Sequence, residues 1–94
     1  MTSATQQASL FPLGQLFMSR GVIEAAIPVL PLVVRHASGD WGDLSDDDRD
    51  LNERALAKGG ERIFSAYAPR GGRRVWIITE ADRSVTTVLL PEEY

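Results

Sequence analysis

Three short segments in the last third of the chain most constrain its fold. They span 62–68, 74–79 and 84–90, and each is rich in β-branched and aromatic residues. Because only a few residues separate them, neighbouring segments should run antiparallel. The sequence therefore predicts a three-stranded antiparallel β-meander. Its middle strand is apolar on both faces, which predicts helices on one side of the sheet and a second covering layer on the other.

The clearest helix is predicted over 45–58, just before the meander. Ser45 is a typical N-cap, and Asp48 follows it at the position of the acid in a capping box. Gly59 supplies the signal for the end of the helix. Asn52 lies at the border of the apolar stripe, so its amide should point inward or sideways. The apolar stripe itself consists of Leu44, Leu51, Ala55 and Leu56.

Shorter elements are predicted in the first third of the chain. The bulky apolar residues of 10–18 indicate a short strand, and 21–26 indicates one or two helical turns. Pro28 is well placed as the first residue of another short helix, which puts Pro31 at about its fourth position. The segment 29–34 is apolar nearly all round, so we expect it to be buried. Together with the meander, these elements predict an α+β fold.

The length of 94 residues is typical of one domain, and the chain contains no cysteine. We expect residues 1–9 to be disordered or frayed and 10–94 to form a single α+β domain. No basic segment followed by an apolar one opens the chain, so no secretory signal is predicted. The apolar stretch 22–34 is too short to span a bilayer. These features predict a soluble intracellular protein, and nothing in them calls for a cofactor.

The ten residues 35–44, RHASGDWGDL, are the most unusual connector in the chain. His36, Asp40 and Asp43 are the candidate catalytic residues here, because an imidazole and two carboxylates could hold a metal or act in hydrolysis. A structural interpretation is favoured, since the histidine stands alone. In that interpretation the glycines and aspartates turn the chain, Trp41 plugs the core, and the segment is a latch between two helices.

Charge is distributed unevenly, although the net charge is only −3. The stretch 40–53 holds seven acids and one arginine, and the stretch 54–74 holds six bases and one acid. An acidic face suits a protein partner, or it could imitate the phosphates of nucleic acid. Alternatively, the two stretches partly neutralise one another within the fold. The residues assigned to a partner-binding face are Asp40, Trp41, Asp43, Asp46, Asp47, Asp50 and Glu53.

A basic turn separates the first two predicted strands. It contains Arg70, Arg73 and Arg74, with Tyr67 and Trp76 close by in sequence. The arginines could contact phosphates while the aromatic rings stack on bases. A solvated turn is the default for three arginines in one hairpin, and the chain lacks the overall basic balance of nucleic-acid-binding domains.

Two motifs carry a family resemblance: RHASGDWGDL, and the C-terminal sequence in which WIITEADRS precedes LLPEEY. With them, the chain from about residue 13 to residue 94 resembles a family of small uncharacterised proteins. That family is carried by proteobacterial plasmids, prophages and integrative elements. The resemblance implies a setting and no catalytic residue.

In that setting we expect a small accessory protein of a mobile element in the cytoplasm of a bacterial host, without catalytic activity. The leading hypothesis is an inhibitor of a host defence complex, anti-CRISPR or anti-restriction, that binds a nucleic-acid-handling protein through the acidic face. A small hydrolase or nuclease and a nucleic-acid-binding accessory protein are the alternatives. A homodimer through an exposed sheet face is also possible, and no membrane partner is expected.

Overall fold

A four-stranded sheet with helices on one face forms the body of the protein. The computed structural model describes residues 9–68 and 72–94. The elements in chain order are β1 (Gln15–Met18), α1 (Arg20–Glu24), α2 (Leu30–Ala37), α3 (Asp46–Lys58), β2 (Ile63–Tyr67), β3 (Val75–Thr79), β4 (Val85–Leu89) and a C-terminal 3-10 helix (Pro91–Glu93). The α+β prediction is confirmed. Within the described residues, no helix is long and apolar enough to cross a membrane.

The strands are ordered β1-β4-β3-β2 across the sheet. The pairs β2–β3 and β3–β4 are antiparallel, as the meander prediction requires. The prediction of a three-stranded antiparallel sheet is nevertheless wrong, because β1 adds a fourth strand that pairs in parallel with β4. The helices and the meander separate these two strands in sequence, and a long crossover of this kind permits parallel pairing.

The core lies between the helices and one face of the sheet. Tyr67 pairs with Val75 across β2 and β3, and Ile77 pairs with Val88 across β3 and β4, so these side chains share a face. They pack with the helical residues Val22, Leu32 and Val33 and with their neighbours Val29 and Leu90. On the opposite face, Trp76 contacts the rings of Phe64 and Tyr94 edge-on, with centroids 5.0 and 5.6 Å apart.

Helix α2 differs from its prediction in where it begins and in what it buries. It begins at Leu30, with Pro31 inside the first turn, and Pro28 lies outside it. Proline is tolerated in a first turn because its missing N–H has no intrahelical partner there. The expectation of full burial is wrong, since Leu30 and Val34, one turn apart, are exposed. The helix covers the sheet with one face only.

Helix α3 begins and ends as predicted. The Ser45 side chain accepts a hydrogen bond from the Asp48 backbone N–H at 3.1 Å, and the helix ends before Gly59. Asn52 and Ala55 are buried, but Leu51 is 56% exposed, so its place in the predicted apolar stripe is wrong. The buried arc runs from Ala55 through Asn52 toward Leu56, and Leu51 lies on its outer side.

Candidate functional site

The segment Arg35 to Asp43 adds backbone pairing to the free side of β2. Gly42 forms a parallel bridge with Ala66, whose N–H donates to the Trp41 carbonyl at 3.1 Å. The Ala66 carbonyl accepts from the Asp43 N–H at 2.7 Å. Gly42 has a φ of 76°, and a Cβ there would lie 2.1 Å from the Ala66 carbonyl oxygen. Only glycine permits this approach of the two backbones.

Asn52 continues the same edge two residues earlier in β2. Its Nδ2 donates to the Phe64 carbonyl at 2.6 Å, and its Oδ1 accepts from the Phe64 N–H at 3.0 Å. The predicted inward orientation is confirmed. The amide makes the two hydrogen bonds that the backbone of a neighbouring strand would make to β2. The loop and this one side chain therefore close the β2 edge.

Arg35 and Asp40 fix the entrance of the loop. Arg35 Nε donates to Asp40 Oδ2 at 2.7 Å, and Nη2 donates to Oδ1 at 3.3 Å. The guanidinium also lies 4.6 Å from the centroid of the Tyr67 ring, and the Tyr67 hydroxyl donates to the Asp40 carbonyl at 2.6 Å. The hydrogen bond from Arg35 holds the pKa of Asp40 below its usual value, and burial raises the pKa of Tyr67 to about 12. Both groups are thus held in the ionisation states that these contacts need.

Trp41 is 2% exposed and packs among the rings of Phe11 and His36. Its indole Nε1–H donates to Glu53 Oε2 on α3 at 2.9 Å. A buried indole with its donor satisfied stabilises the attachment of the loop to the core and to α3. Trp41 therefore lies beneath the surface that we predicted for partner binding, and Glu53 is shared between that surface and the indole.

His36 is 0% exposed and both of its ring nitrogens are engaged. Nδ1 lies 2.5 Å from Ser65 Oγ, and Nε2 lies 2.9 Å from Thr79 Oγ1. Thr79 Oγ1 lies 2.7 Å from Thr86 Oγ1, and the Thr86 hydroxyl donates to the Leu13 carbonyl at 2.7 Å. These contacts link α2, three strands and the segment that leads into β1.

The hydrogen bonds of this chain can be satisfied in one direction. Each hydroxyl has one proton to donate, and Thr86 uses its proton on the Leu13 carbonyl. Thr79 then donates to Thr86 and accepts from His36 Nε2–H, which leaves Nδ1 to accept from the Ser65 hydroxyl. Burial lowers the pKa of His36 to about 4, so the ring is neutral near pH 7. A neutral, fully bonded and enclosed imidazole is a structural histidine.

The candidate catalytic residues do not assemble into a reactive site. Both ring nitrogens of His36 bond to strand hydroxyls, and the hydroxyl nearest to it in sequence, that of Ser38, donates to the Arg35 carbonyl at 3.0 Å. Asp40 is committed to Arg35, and Asp43 is exposed. Across residues 9–68 and 72–94, no three His, Cys, Asp or Glu side chains are grouped so that they could hold a metal ion.

The acids of α3 are arranged differently from the loop. Asp46, Asp47 and Asp50 are exposed, and none of the ion pairs found in the described part of the chain uses an acid from Asp43 to Glu53. The expected neutralisation between the acidic and basic stretches is therefore not seen as direct ion pairs. The arginines pair elsewhere, as Arg20–Glu24, Arg35–Asp40, Arg62–Glu80 and Arg73–Glu92.

Beside these acids lies a groove that sequence reasoning missed. It has a volume of about 400 Å³ and lies between the second half of α3 and the start of β2. Leu51 lies where the groove borders the acids. The sequence signal that could have revealed the groove is this one apolar residue in a helix segment that is otherwise charged. The lining residues are Leu51, Arg54, Lys58, Gly59, Glu61 and Arg62.

Two arginines of the basic turn, Arg73 and Arg74, lie within the described residues. Arg73 pairs with Glu92, and Arg74 is exposed. Arg70 lies outside the described residues.

No protein family model matches the chain, and no match to it was found among the curated proteins or among the solved structures.

Proposed function

We propose that this chain is a binding protein whose acidic α3 surface docks onto the basic surface of a protein partner. The acidic surface is defined by Asp43, Asp46, Asp47 and Asp50. The partner we propose is a host defence complex that handles nucleic acid, of the CRISPR or restriction type, which the chain inhibits by occupying its basic channel. The resemblance of the sequence motifs to mobile-element proteins motivates this choice of partner.

The observation that carries the proposal is that the acids of α3 have no cationic partner among the described residues. The arginines Arg35, Arg62 and Arg73 form their ion pairs away from α3, with Asp40, Glu80 and Glu92. Unpaired acids concentrated on one helix produce a local negative potential despite a net charge of only −3. Such a field favours association with a basic surface and opposes association with nucleic acid itself.

Leu51 adds an apolar residue at the border between this surface and the groove. It is 56% exposed, with Asp47 one turn before it and Arg54 one turn after it on the same helix. An apolar residue surrounded by charged ones is typical of an interface, where the centre is dehydrated and the rim remains polar. The groove beside Leu51 would admit a side chain of the partner.

The alternative functions have less support. A hydrolase or nuclease needs a reachable base, and His36 is enclosed, neutral and bonded at both nitrogens. A nucleic-acid-binding protein needs a set of free cations, and of the two arginines of the basic turn that the structure describes, Arg73 is paired with Glu92. Binding of a protein through α3 requires neither a reachable base nor free cations.

An interference assay tests the proposal. The chain is expressed in bacteria whose CRISPR or restriction system blocks a marked plasmid, alongside a variant carrying Asp46→Asn, Asp47→Asn and Asp50→Asn. A matched control removes three exposed charges that lie neither on α3 nor in the groove beside Leu51, through Glu24→Gln, Asp82→Asn and Glu92→Gln. The wild type and the control should reduce interference, and the α3 variant should lose most of that effect while still folding. Equal activity of the two variants, or no effect of the wild type on any system tested, would contradict the proposal.

A further inference from the structure

Exposed apolar side chains are concentrated in the first third of the described chain. Seven of the nine large hydrophobic residues that are exposed lie between Leu10 and Val34. Three of the seven are consecutive in β1, where Leu16, Phe17 and Met18 are 37%, 51% and 45% exposed. These residues form an end strand of the sheet, so an unpaired backbone edge and an apolar surface coincide there.

The backbone groups of β1 alternate between β4 and the outside. Gln15 N–H donates to the Ser84 carbonyl, and Ser19 N–H donates to the Val88 carbonyl, each at 2.9 Å. In a parallel pair every second residue bonds to its neighbour, so Phe17 also faces β4. The N–H and C=O groups of Leu16 and Met18 therefore point away from the sheet. Among the described residues, no backbone hydrogen bond is found on that side of β1.

We propose that β1 pairs antiparallel with β1 of a second copy of this chain, joining the two sheets into one of eight strands. The two-fold axis passes beside Phe17, which lies opposite Phe17 of the second copy. Leu16 then lies opposite Met18, and each such pair exchanges two N–H···O=C bonds across the axis. The interface is isologous, as in most dimers.

The β1 edge is complementary to a second copy of itself, which is why we propose another copy of this chain as its partner. Leu16 and Met18 are symmetric about Phe17, so one register satisfies all four outward N–H and C=O groups of each strand segment. In that register Phe17 meets Phe17 in a non-hydrogen-bonded pair, where opposing side chains are closest. Aromatic pairs at such positions are favourable.

The charges near the edge also fit a second copy. Strand β1 contains no charged residue, although exposed edges are commonly protected by lysine, proline or a bulge. The first charge after the strand is Arg20, which this register places opposite Gly14 of the second copy. Like charges do not meet. Helix α3 packs at the opposite edge, on β2, so dimerisation would leave the acidic surface free.

Sedimentation equilibrium of the full chain over a wide concentration range tests the dimer. The wild type should show a concentration-dependent dimer, and Phe17→Lys should raise its dissociation constant by about tenfold or more, because two lysines then oppose one another. An equimolar mixture of Phe17→Lys and Phe17→Glu should associate again as a heterodimer. Leu51→Lys, an equivalent change at an exposed apolar residue on α3, should leave the dimer unchanged.

A backbone variant gives a second, independent readout. Met18→Pro removes an N–H that points away from β4, so β1 can stay in the sheet while the dimer loses two symmetry-related bonds. This variant should be a folded monomer by circular dichroism and sedimentation. The proposal is overturned if the wild type stays monomeric at every concentration, as it would if a strand of another protein occupied this edge. It is also overturned if both edge variants still dimerise, if the lysine and glutamate variants do not associate when mixed, or if Leu51→Lys abolishes the dimer.

Discussion

Each of the two end strands of the sheet, β1 and β2, has backbone N–H and C=O groups that no neighbouring strand of the described chain pairs with. Among the described residues, these groups are bonded at the β2 edge and unbonded at the β1 edge. At the β2 edge, Trp41 to Asp43 and the Asn52 side chain bond to Ala66 and Phe64. At the β1 edge, Leu16 and Met18 direct their backbone groups outward beside exposed apolar side chains. An unpaired edge is a template for another chain unless it is covered.

This difference gives the RHASGDWGDL segment a physical role. Gly42 lets the loop backbone reach Ala66, Trp41 anchors the loop in the core, and Asp40 holds its entrance through Arg35. Of the residues that suggested catalysis, Asp43 bonds to the β2 edge, Asp40 holds the loop entrance, and His36 is enclosed in the core. The open side is the one that we propose for self-association, and α3 carries the acids of the proposed docking surface.

The largest expected effect comes from adding a methyl group where the covering loop meets β2. Gly42→Ala forces the left-handed φ onto alanine and places Cβ against the Ala66 carbonyl, so we expect a loss of about 3 kcal/mol or more in the free energy of unfolding. Gly59→Ala is the matched control, since its φ is 74° and nothing lies within 4 Å of an added Cβ. Urea denaturation compares the two. Equal losses would show that the loop contact adds nothing beyond backbone strain.

The next largest effect is expected from low pH, which should reduce the free energy of unfolding because His36 is buried as a neutral ring. The imidazole of the unfolded chain takes up a proton near its ordinary pKa of 6.5, whereas the folded one, with its pKa lowered by burial, does so only near 4. The unfolded state therefore binds more protons in this range, so stability falls as the pH is lowered from 6.5 to about 4, by about 3 kcal/mol in total.

Unfolding measured between pH 7 and pH 5 isolates this histidine effect. The lowered pKa values of Asp40 and Glu93 matter only at lower pH, where unfolded carboxyl groups take up protons. A folded His36→Gln variant has no titrating group at this position, so its stability should change much less over the same range. The same pH dependence in both proteins would contradict a neutral, enclosed His36.

Removing the Asn52 amide should cost about 2 kcal/mol, because Asn52→Ala leaves the Phe64 N–H and C=O without their partners. The variant should also self-associate more readily, since it uncovers part of the β2 edge. Asp50→Ala, an exposed change on the same helix, serves as the control. Thermal unfolding and light scattering measure the two effects. Stability within about 0.5 kcal/mol of the control would mean that the amide is not needed at this edge.

The smallest stability effect is expected at the open edge. Phe17→Ser should lower the stability of the dilute monomer by only about 1 kcal/mol, because half of the ring is already in contact with solvent in the monomer. Urea denaturation at low protein concentration measures this. A loss as large as that of Asn52→Ala would show that both edges support the monomer equally and would remove the contrast between them.

The elements that depend on local sequence could be predicted, and the contacts between distant residues could not. Ser45 caps α3 through an atom three residues away, and short turns bring the last three strands together. The pairing of β1 with β4 crosses about seventy residues and leaves no local pattern. The exposure of Leu51 could not be predicted either. Which side of the apolar stripe of α3 is buried depends on how the helix lies on the sheet, and the helix sequence does not show that.

For the candidate site around His36, too, the local features could be predicted and the long-range contacts could not. A single histidine in the sequence is better explained by structure than by catalysis, but the partners of His36, Ser65 and Thr79, are 29 and 43 residues away. A signal for them was present, because both are polar residues at inward positions of otherwise apolar strands. Buried polar side chains need partners, so these positions and His36 could have been matched.

Amide hydrogen exchange of the wild type, measured at low and high protein concentration, tests the contrast between the edges most directly. The amides of Phe64 and Ala66 should be protected at both concentrations, because Asn52 and the loop bond to them within one chain. The amides of Leu16 and Met18 should exchange rapidly in dilute protein and become protected as the concentration rises. Rapid exchange at Ala66, or exchange at Leu16 and Met18 that does not change with concentration, would contradict the account.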